Sequence, residues 1–184
     1  MPITTLEPLT ALVVIDLQRG IVGQPLAHPA ADVITRAAAL ARAFRRRNLP
    51  VVLVNVAGRA PGRVEAKLPA FAPPGNWTEL VPELDVQPSD LLITKYTWGA
   101  FHGTPLDLQL RRRGVTQIVL CGIQTSIGVE TTARAAFEHG YNLSLAIDAM
   151  TDTVAELHHS TTERLFPRLG ETGTTADVLA KLGA

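Results

Sequence analysis

The sequence predicts a doubly wound α/β fold, in which a mostly parallel sheet is covered by helices on both faces. Short runs of β-branched residues alternate with helical patterns along the whole chain, which is the order of elements found in parallel sheets. The runs are apolar at nearly every position, as expected for strands that are buried on both faces. No internal repeat, low-complexity tract or linker interrupts this order, so we expect a single domain over residues 1–184.

Each predicted strand is rich in valine, isoleucine or leucine and ends near a polar residue or a glycine. In chain order the strands are Ala11–Ile15, Val51–Val56, Leu91–Thr94, Gln117–Cys121 and Leu143–Ile147. A weaker sixth strand is expected near Arg168–Thr172.

The helices are predicted from alanine-rich stretches and from residues that begin or end helices. Thr104 is suited to an N-cap with Pro105 at the first helical position, and Gly114 and Gly140 are placed to end helices. The predicted helices are Ala30–Arg47, Pro105–Arg113, Ser126–His139, Thr153–Phe166 and Ala176–Leu182.

One proline-rich segment, Ala57–Leu84, fits neither pattern. A long irregular stretch within a compact domain is more often functional than idle. We therefore expect it to close part of a pocket, with Trp77 as a lid residue. Trp77 has an alternative role in a subunit contact, because aromatic residues are enriched in interfaces.

Composition favours a compact soluble globule rather than a disordered chain. Hydrophobic residues make up 46% and charged residues 18% of the chain, and 17 basic residues balance 17 acidic ones. This balance gives no support for nucleic acid or a membrane as partner. The single cysteine, Cys121, excludes an internal disulfide, and no signal peptide is evident, so we expect a cytoplasmic protein.

Three polar features follow predicted strands, at the edge of the sheet where open parallel sheets bind ligands. Asp16 follows the first strand, Lys95 follows the third, and the turn Gly122–Gly128 follows the fourth. Each feature has an ordinary structural alternative: a helix cap, a surface lysine and strand-to-helix packing. Their shared location favours a common reactive centre.

The stretches ALVVIDLQ, TKYTWGAFHGTPLDLQLRRRG and VLCGIQTSIGVETTARAAFEHGYNLSLAIDAM resemble the isochorismatase-like hydrolase superfamily, which also contains cysteine amidases. The resemblance implies a three-layer αβα sandwich with a six-stranded sheet in the order 3-2-1-4-5-6. It implies that Asp16 and Lys95 are catalytic and that a cis peptide joins Ile123 to Gln124. We expect a homo-oligomer, either a dimer or a tetramer.

The resemblance places the amidases' nucleophilic cysteine at position 128, where this chain has Gly128. Isochorismatases also carry glycine there and cleave a vinyl ether without covalent catalysis. Cys121 is expected to be a buried strand residue rather than a replacement nucleophile. Gly103 and Gln124 differ from the arginine and tyrosine of isochorismatases, which argues against isochorismate as the substrate.

The predicted catalytic set is Asp16, Lys95 and Gly128. The predicted substrate contacts are Gln18, Trp98, Phe101, His102, Ile123, Gln124, Thr125 and Ile127. Trp98 and Phe101 have the alternative of plain core packing. No metal is expected, because the segment VNVAGRAPGR lacks the histidines of nicotinamidases, and no GxGxxG motif follows the first strand. We expect no cofactor.

These observations favour a hydrolase that uses water on a vinyl ether or amide-like bond, with Asp16 as acid or base and Lys95 as its partner. In this hypothesis the backbone between Gln124 and Gly128 holds an anionic group of the substrate. The alternative is a non-catalytic small-molecule binding protein that kept the fold. The absent cysteine favours the alternative, whereas a buried charge pair, which is expensive to desolvate, favours the enzyme.

Overall fold

The computed structural model describes residues 3–66 and 73–183. Its centre is a sheet of six parallel strands in the order β3-β2-β1-β4-β5-β6, which confirms the predicted fold class. The strands are β1 Thr10–Ile15, β2 Val51–Val56, β3 Leu91–Lys95, β4 Gln117–Ile123, β5 Asn142–Thr151 and β6 Glu171–Gly173.

Helices cover both faces of the sheet. The helices of the described residues are α1 Arg19–Val22, α2 Ala30–Arg46, α3 Leu106–Arg112, α4 Glu130–Glu138, α5 Ala155–Ser160 and α6 Thr175–Leu182. Helices α2 and α6 pack on one face against alternate residues of β1 such as Leu12. Helices α3 and α4 pack on the other face, where Val13 and Ile15 point. Every residue of β1 and β4 is buried, as the apolar sequence of these central strands predicts.

Two predicted helices are shorter than expected. The helix predicted from Ser126 begins as a π-helical turn, Thr125–Val129, and becomes α4 only at Glu130. The helix predicted as Thr153–Phe166 divides into α5, a π-helical turn over Thr161–Leu165 and a 3₁₀ turn. In the first case the side chains of Asp152, just after β5, and of His158 in α5 hold the residues of the turn, and no local pattern encodes these tertiary contacts.

Smaller differences concern the ends of elements. Helix α3 starts at Leu106 rather than Pro105, although the Thr104 hydroxyl still accepts a hydrogen bond from the Leu106 N–H at 3.2 Å. Strand β5 extends well beyond the predicted Leu143–Ile147, and its register with β4 shifts between Leu120 and Gly122. Strand β6 lies slightly later than predicted, at Glu171–Gly173. Part of the proline-rich segment, residues 67–72, lies outside the described residues.

Candidate active site

Asp16 lies directly after β1 in a backbone conformation that non-glycine residues seldom adopt. Its φ is 53°, in the left-handed region that is sparsely populated outside turns and functional sites. Its N–H donates to the Val54 carbonyl at 2.9 Å, and its own carbonyl accepts from the Gln18 N–H at 2.8 Å. The chain therefore turns at once after the strand and leaves the Asp16 carboxyl buried, with 4% of the residue exposed.

Lys95, the last residue of β3, forms a buried ion pair with Asp16. The distance from Lys95 Nζ to Asp16 Oδ2 is 2.7 Å, and Nζ also donates to the Thr97 carbonyl at 3.3 Å. Lys95 is 1% exposed. The ammonium thus reaches past β2 to the carboxylate, which joins the ends of β1 and β3.

Among the described residues, the Asp16 carboxyl has the properties that best suit an acid–base catalyst. Its second oxygen, Oδ1, is the one buried side-chain N or O atom among them without a hydrogen-bond partner. Burial raises the pKa of Asp16 to about 6, against the opposing charge and hydrogen bond of Lys95. A carboxyl with such a pKa exchanges its proton near neutral pH, as a general acid or base must.

The turn after β4 packs directly against this pair. Gly122 has a φ of 122°, and a Cβ there would lie 2.1 Å from the Ile15 carbonyl oxygen, so only glycine fits. The next peptide bond, between Ile123 and Gln124, is cis. A Cβ added at Gly128 would lie 3.3 Å from Asp16 Oδ2 and 3.1 Å from Ile15 Cγ2. Gly128 therefore borders the carboxyl.

Three backbone N–H groups of this turn already donate hydrogen bonds within the protein. Fewer N–H groups are therefore free to bind an anionic group of the substrate than the sequence predicts. The Ser126 N–H and hydroxyl both donate to Asp152 Oδ2 at 2.8 Å. The N–H groups of Ile127 and Val129 both donate to the Gln124 carbonyl, at 3.2 and 3.1 Å. These three N–H groups are therefore not available to a substrate oxyanion.

A pocket of about 200 Å³ opens above the pair, and most of the predicted site residues line it. The predicted residues that line it are Asp16, Lys95, Trp98, Ile123, Gln124, Ile127 and Gly128. Trp77 also lines it, consistent with a lid function. Trp98 is 59% exposed, so it borders the mouth of the pocket rather than the core.

Four predicted substrate contacts lie elsewhere. Gln18 is fully buried, donating to the carbonyls of Val56 and Trp77 and accepting from the Val56 N–H, so it is a structural clamp. Phe101 packs against the rings of His139 and Tyr141.

The other two are His102 and Thr125. His102 is exposed and does not line the pocket. Thr125 is fully buried and its hydroxyl bonds away from the pocket, to the Thr151 carbonyl at 3.0 Å and the His158 Nδ1 at 2.9 Å. These four side chains lie outside the pocket because nearness in sequence to a site residue does not fix where a side chain points.

Some pocket residues were absent from the predicted set. Arg59 and Gly58 follow β2 and Ile21 lies in α1, and all three line the pocket. Asp152, which holds the turn, follows β5. The rule that ligands sit at the carboxyl ends of parallel strands, applied to β2 and β5, points to Arg59 and Asp152.

Two further features of the described residues concern metal binding and membrane insertion. No group of three or more histidine, cysteine, aspartate or glutamate side chains in residues 3–66 and 73–183 is arranged to hold a metal ion. Over the same residues, no helix combines the length and the apolar character needed to cross a membrane.

The fold and the buried carboxylate–ammonium pair define a doubly wound α/β protein with an acid–base centre at the carboxyl edge of its sheet. Residues 10–177 match the Isochorismatase domain. The chain therefore belongs to the isochorismatase family, and its fold is that of the family's hydrolases.

Three relatives illustrate the similarity. The chain is 46% identical over 182 residues to the uncharacterised isochorismatase family protein YecD of Escherichia coli O157:H7, covering 94% of this chain and 96% of YecD. It superposes on an isochorismatase family protein of Burkholderia thailandensis with a TM-score of 0.87 and 45% identity, covering 98% of both chains. It also superposes on the N-carbamoylsarcosine amidase of Thermoplasma acidophilum with a TM-score of 0.74 and 27% identity, over 91% of this chain and 96% of that one.

Proposed function

We propose that the protein is a hydrolase that cleaves a vinyl ether or amide-like bond in a small organic molecule, with water as the nucleophile. The observation that carries this proposal is the Asp16 carboxyl. It lines the pocket, its pKa is raised to about 6, and its Oδ1 has no hydrogen-bond partner in the described residues. A purely structural ion pair has no need of an unsatisfied oxygen, which is costly when buried.

Asp16 acts as the general acid in this proposal. Protonated Asp16 delivers its proton to a carbon of the vinyl ether, and water adds to the resulting oxocarbenium ion and returns a proton to the Asp16 carboxylate. The neutral hemiketal so formed collapses to a carbonyl compound and an alcohol. Lys95, 2.7 Å from Oδ2, orients the carboxyl and stabilises the carboxylate that the proton transfer leaves behind. For an amide-like substrate the same carboxylate would instead accept a proton from the attacking water.

Gly128 leaves the reaction without a covalent nucleophile. By the family resemblance, position 128 is that of the amidase cysteine, and a Cβ there would lie 3.3 Å from Asp16 Oδ2. A thiol at this position would have a proton acceptor beside it, whereas the glycine leaves room for substrate or water. Cys121 cannot substitute, because it is fully buried in β4 and burial raises its pKa to about 12.

The second candidate function is a non-catalytic binding protein for small molecules. It is favoured by the missing thiol and by the occupied N–H groups of Ser126, Ile127 and Val129. A binding protein needs the pocket but not a proton on Asp16. Turnover therefore separates the two functions.

The test is a hydrolysis screen over vinyl ethers, amides and carbamoyl compounds, followed by Asp16→Asn on any compound that is turned over. Asp90→Asn is the matched control, since Asp90 is also buried in an ion pair, 2.7 Å from Arg45, but does not line the pocket. Loss of turnover in the Asp16 variant alone supports the hydrolase. Full turnover by Asp16→Asn refutes Asp16 as the acid or base, and no turnover of any compound in the screen argues against the hydrolase.

Binding is measured in the same samples by intrinsic fluorescence. The chain has two tryptophans, and both Trp77 and Trp98 line the pocket. A ligand that changes the emission without being hydrolysed supports the binding protein.

A further inference from the structure

Three histidines gather next to the turn that borders Asp16. The ring centroids of His28 and His158 are 4.8 Å apart, and those of His158 and His159 are 5.6 Å apart. His28 lies just before α2, whereas His158 and His159 belong to α5. His28 and His158 line a depression separate from the pocket of Asp16, together with Asp32, Arg36 and Asp148.

The hydrogen bonds of Thr125 determine which nitrogen of His158 carries a proton. The Thr125 hydroxyl has one hydrogen, and two acceptors compete for it: the Thr151 carbonyl at 3.0 Å and His158 Nδ1 at 2.9 Å. A carbonyl can only accept, so the hydroxyl donates to Thr151. His158 Nδ1 must then carry a proton and donate to Thr125 Oγ1. Because Nδ1 keeps that proton in the charged ring as well, the bond persists across pH.

His28 is joined to Thr151 by both its backbone and its ring. Thr151 Oγ1 accepts from the His28 backbone N–H at 3.1 Å and lies 3.0 Å from His28 Nδ1. His28 therefore anchors the end of β5, and its ring packs edge-to-face on His158. This contact holds His158 in place beneath Thr125.

The turn is held at two successive residues by groups outside it. His158 and the Thr151 carbonyl hold Thr125, and the Asp152 carboxylate holds Ser126. Both residues directly follow the cis Ile123–Gln124 bond. Gly128, which borders the Asp16 carboxyl, comes two residues after Ser126.

We propose that His158 is a positioning residue: its Nδ1–H, bonded to Thr125, holds the 124–128 turn so that Gly128 stays against Asp16. The inference rests on the proposed function for its catalytic meaning, but the position of the turn is measurable without a substrate. His158 touches neither the pocket nor Asp16, so its effect is exerted through Thr125.

The test introduces a reporter at the turn with Gly128→Cys and measures its alkylation by iodoacetamide. Cys121 is fully buried, so the background reaction of the folded protein is low. The reporter thiol would start 3.3 Å, measured from its Cβ, from Asp16 Oδ2. Gly128 is buried, so the turn in its native position shields the thiol from the reagent and slows the reaction.

Three second substitutions are compared in this background. His158→Leu removes the donor, whereas His158→Asn places an amide N–H close to the position of Nδ1. His159→Leu is the control on the same helix, because His159 is exposed and makes no bond to Thr125. We expect His158→Leu to speed alkylation roughly fivefold, the effect of losing one neutral hydrogen bond, with His158→Asn and His159→Leu close to the parent.

Equal rates in the His158→Leu variant and the parent would overturn the proposal. So would equal increases in the leucine and asparagine variants, because packing rather than the hydrogen bond would then be responsible. If His158→Leu fails to fold, Thr125→Val removes this bond together with the bond to the Thr151 carbonyl, and an increase at least as large is expected. Failure of the proposed function is seen separately, as an absence of turnover in the hydrolysis screen, and failure of the role of Asp16 as retained turnover in Asp16→Asn.

Discussion

At the residue scale, two opposing influences set the protonation of Asp16. Burial raises its pKa to about 6, although Lys95 lowers it. A general acid works only while protonated, so we expect kcat/KM to fall as the pH rises through about 6, the value for Asp16. The pH dependence of kcat/KM reports the groups of the free enzyme. A base would give the opposite slope, with activity rising through the same pH.

Lys95→Met gives an internal check on this assignment. The substitution removes the ammonium that lowers the pKa of Asp16, so the pKa of Asp16 rises. The pH at which the residual kcat/KM begins to fall therefore moves to a higher value. If kcat/KM of the variant falls at the same pH as in the parent protein, another titrating group is responsible for the fall. Such a result would contradict the assignment of Asp16 as the acid.

Gly128→Ala tests whether the space beside Asp16 belongs to the site. An alanine gains roughly 1 kcal/mol over glycine within a helix, but its Cβ would meet Ile15 Cγ2 at 3.1 Å and Asp16 Oδ2 at 3.3 Å. We expect the fold to remain at least as stable and the ligand affinity or turnover to fall. Thermal unfolding and activity are measured on one sample, with Gly62→Ala as control, since a Cβ there meets nothing within 4 Å.

Two results would contradict this prediction. A stable, fully active Gly128→Ala variant places the space above Gly128 outside the site. A strongly destabilised one shows that the glycine serves packing against Ile15 instead.

At the scale of elements, Trp77 links the proline-rich segment to the pocket. Its carbonyl accepts from the Gly20 N–H at 3.0 Å and from Gln18 Nε2 at 3.1 Å. Its ring lies so close to Gly20 that a Cβ there would fall 2.0 Å from it. Helix α1 therefore fixes the ring over the pocket through a glycine that leaves room for it.

We expect Trp77→Ala to weaken binding of the substrate, seen as a higher KM, because the ring covers one side of the pocket. Gly20→Ala should act in the same direction by displacing the ring. Analytical ultracentrifugation of the same variants tests the alternative role. A change in oligomeric state with an unchanged KM would favour a subunit contact over a lid.

Strands were easier to predict than the turn that matters most. The apolar runs predict β1 and β4 directly. The rule that ligands bind at the carboxyl ends of parallel strands points to Asp16 and Lys95. Both predictions succeed from short stretches of sequence alone. The π-helical turn at Thr125–Val129 was predicted as plain helix. Its shape depends on Asp152 and His158, which approach it from distant parts of the chain, and one sequence shows no such pairing.

At the scale of the whole molecule, the pocket lies where the order of the strands reverses. The sheet runs β3-β2-β1 on one side and β4-β5-β6 on the other, so the connections after β1 and β4 leave towards opposite faces and open a crevice. Asp16 and Gly128 border that crevice from its two sides. The central strands β1 and β4 are therefore fully buried, and their carboxyl ends form the base of the candidate active site.

Cys121 offers a test of how rigid that centre is. It lies in β4 beside β1, is fully buried, and burial raises its pKa to about 12. Reaction with a thiol reagent requires an exposed thiolate, so labelling has to wait for an opening that separates the two central strands. We expect the wild-type protein to label slowly at the rate of global unfolding and to keep its activity until then. The measurement follows labelling, circular dichroism and turnover together over a range of denaturant concentrations. Rapid stoichiometric labelling with a native spectrum and lost activity would show that the centre opens locally and that this thiol takes part in function.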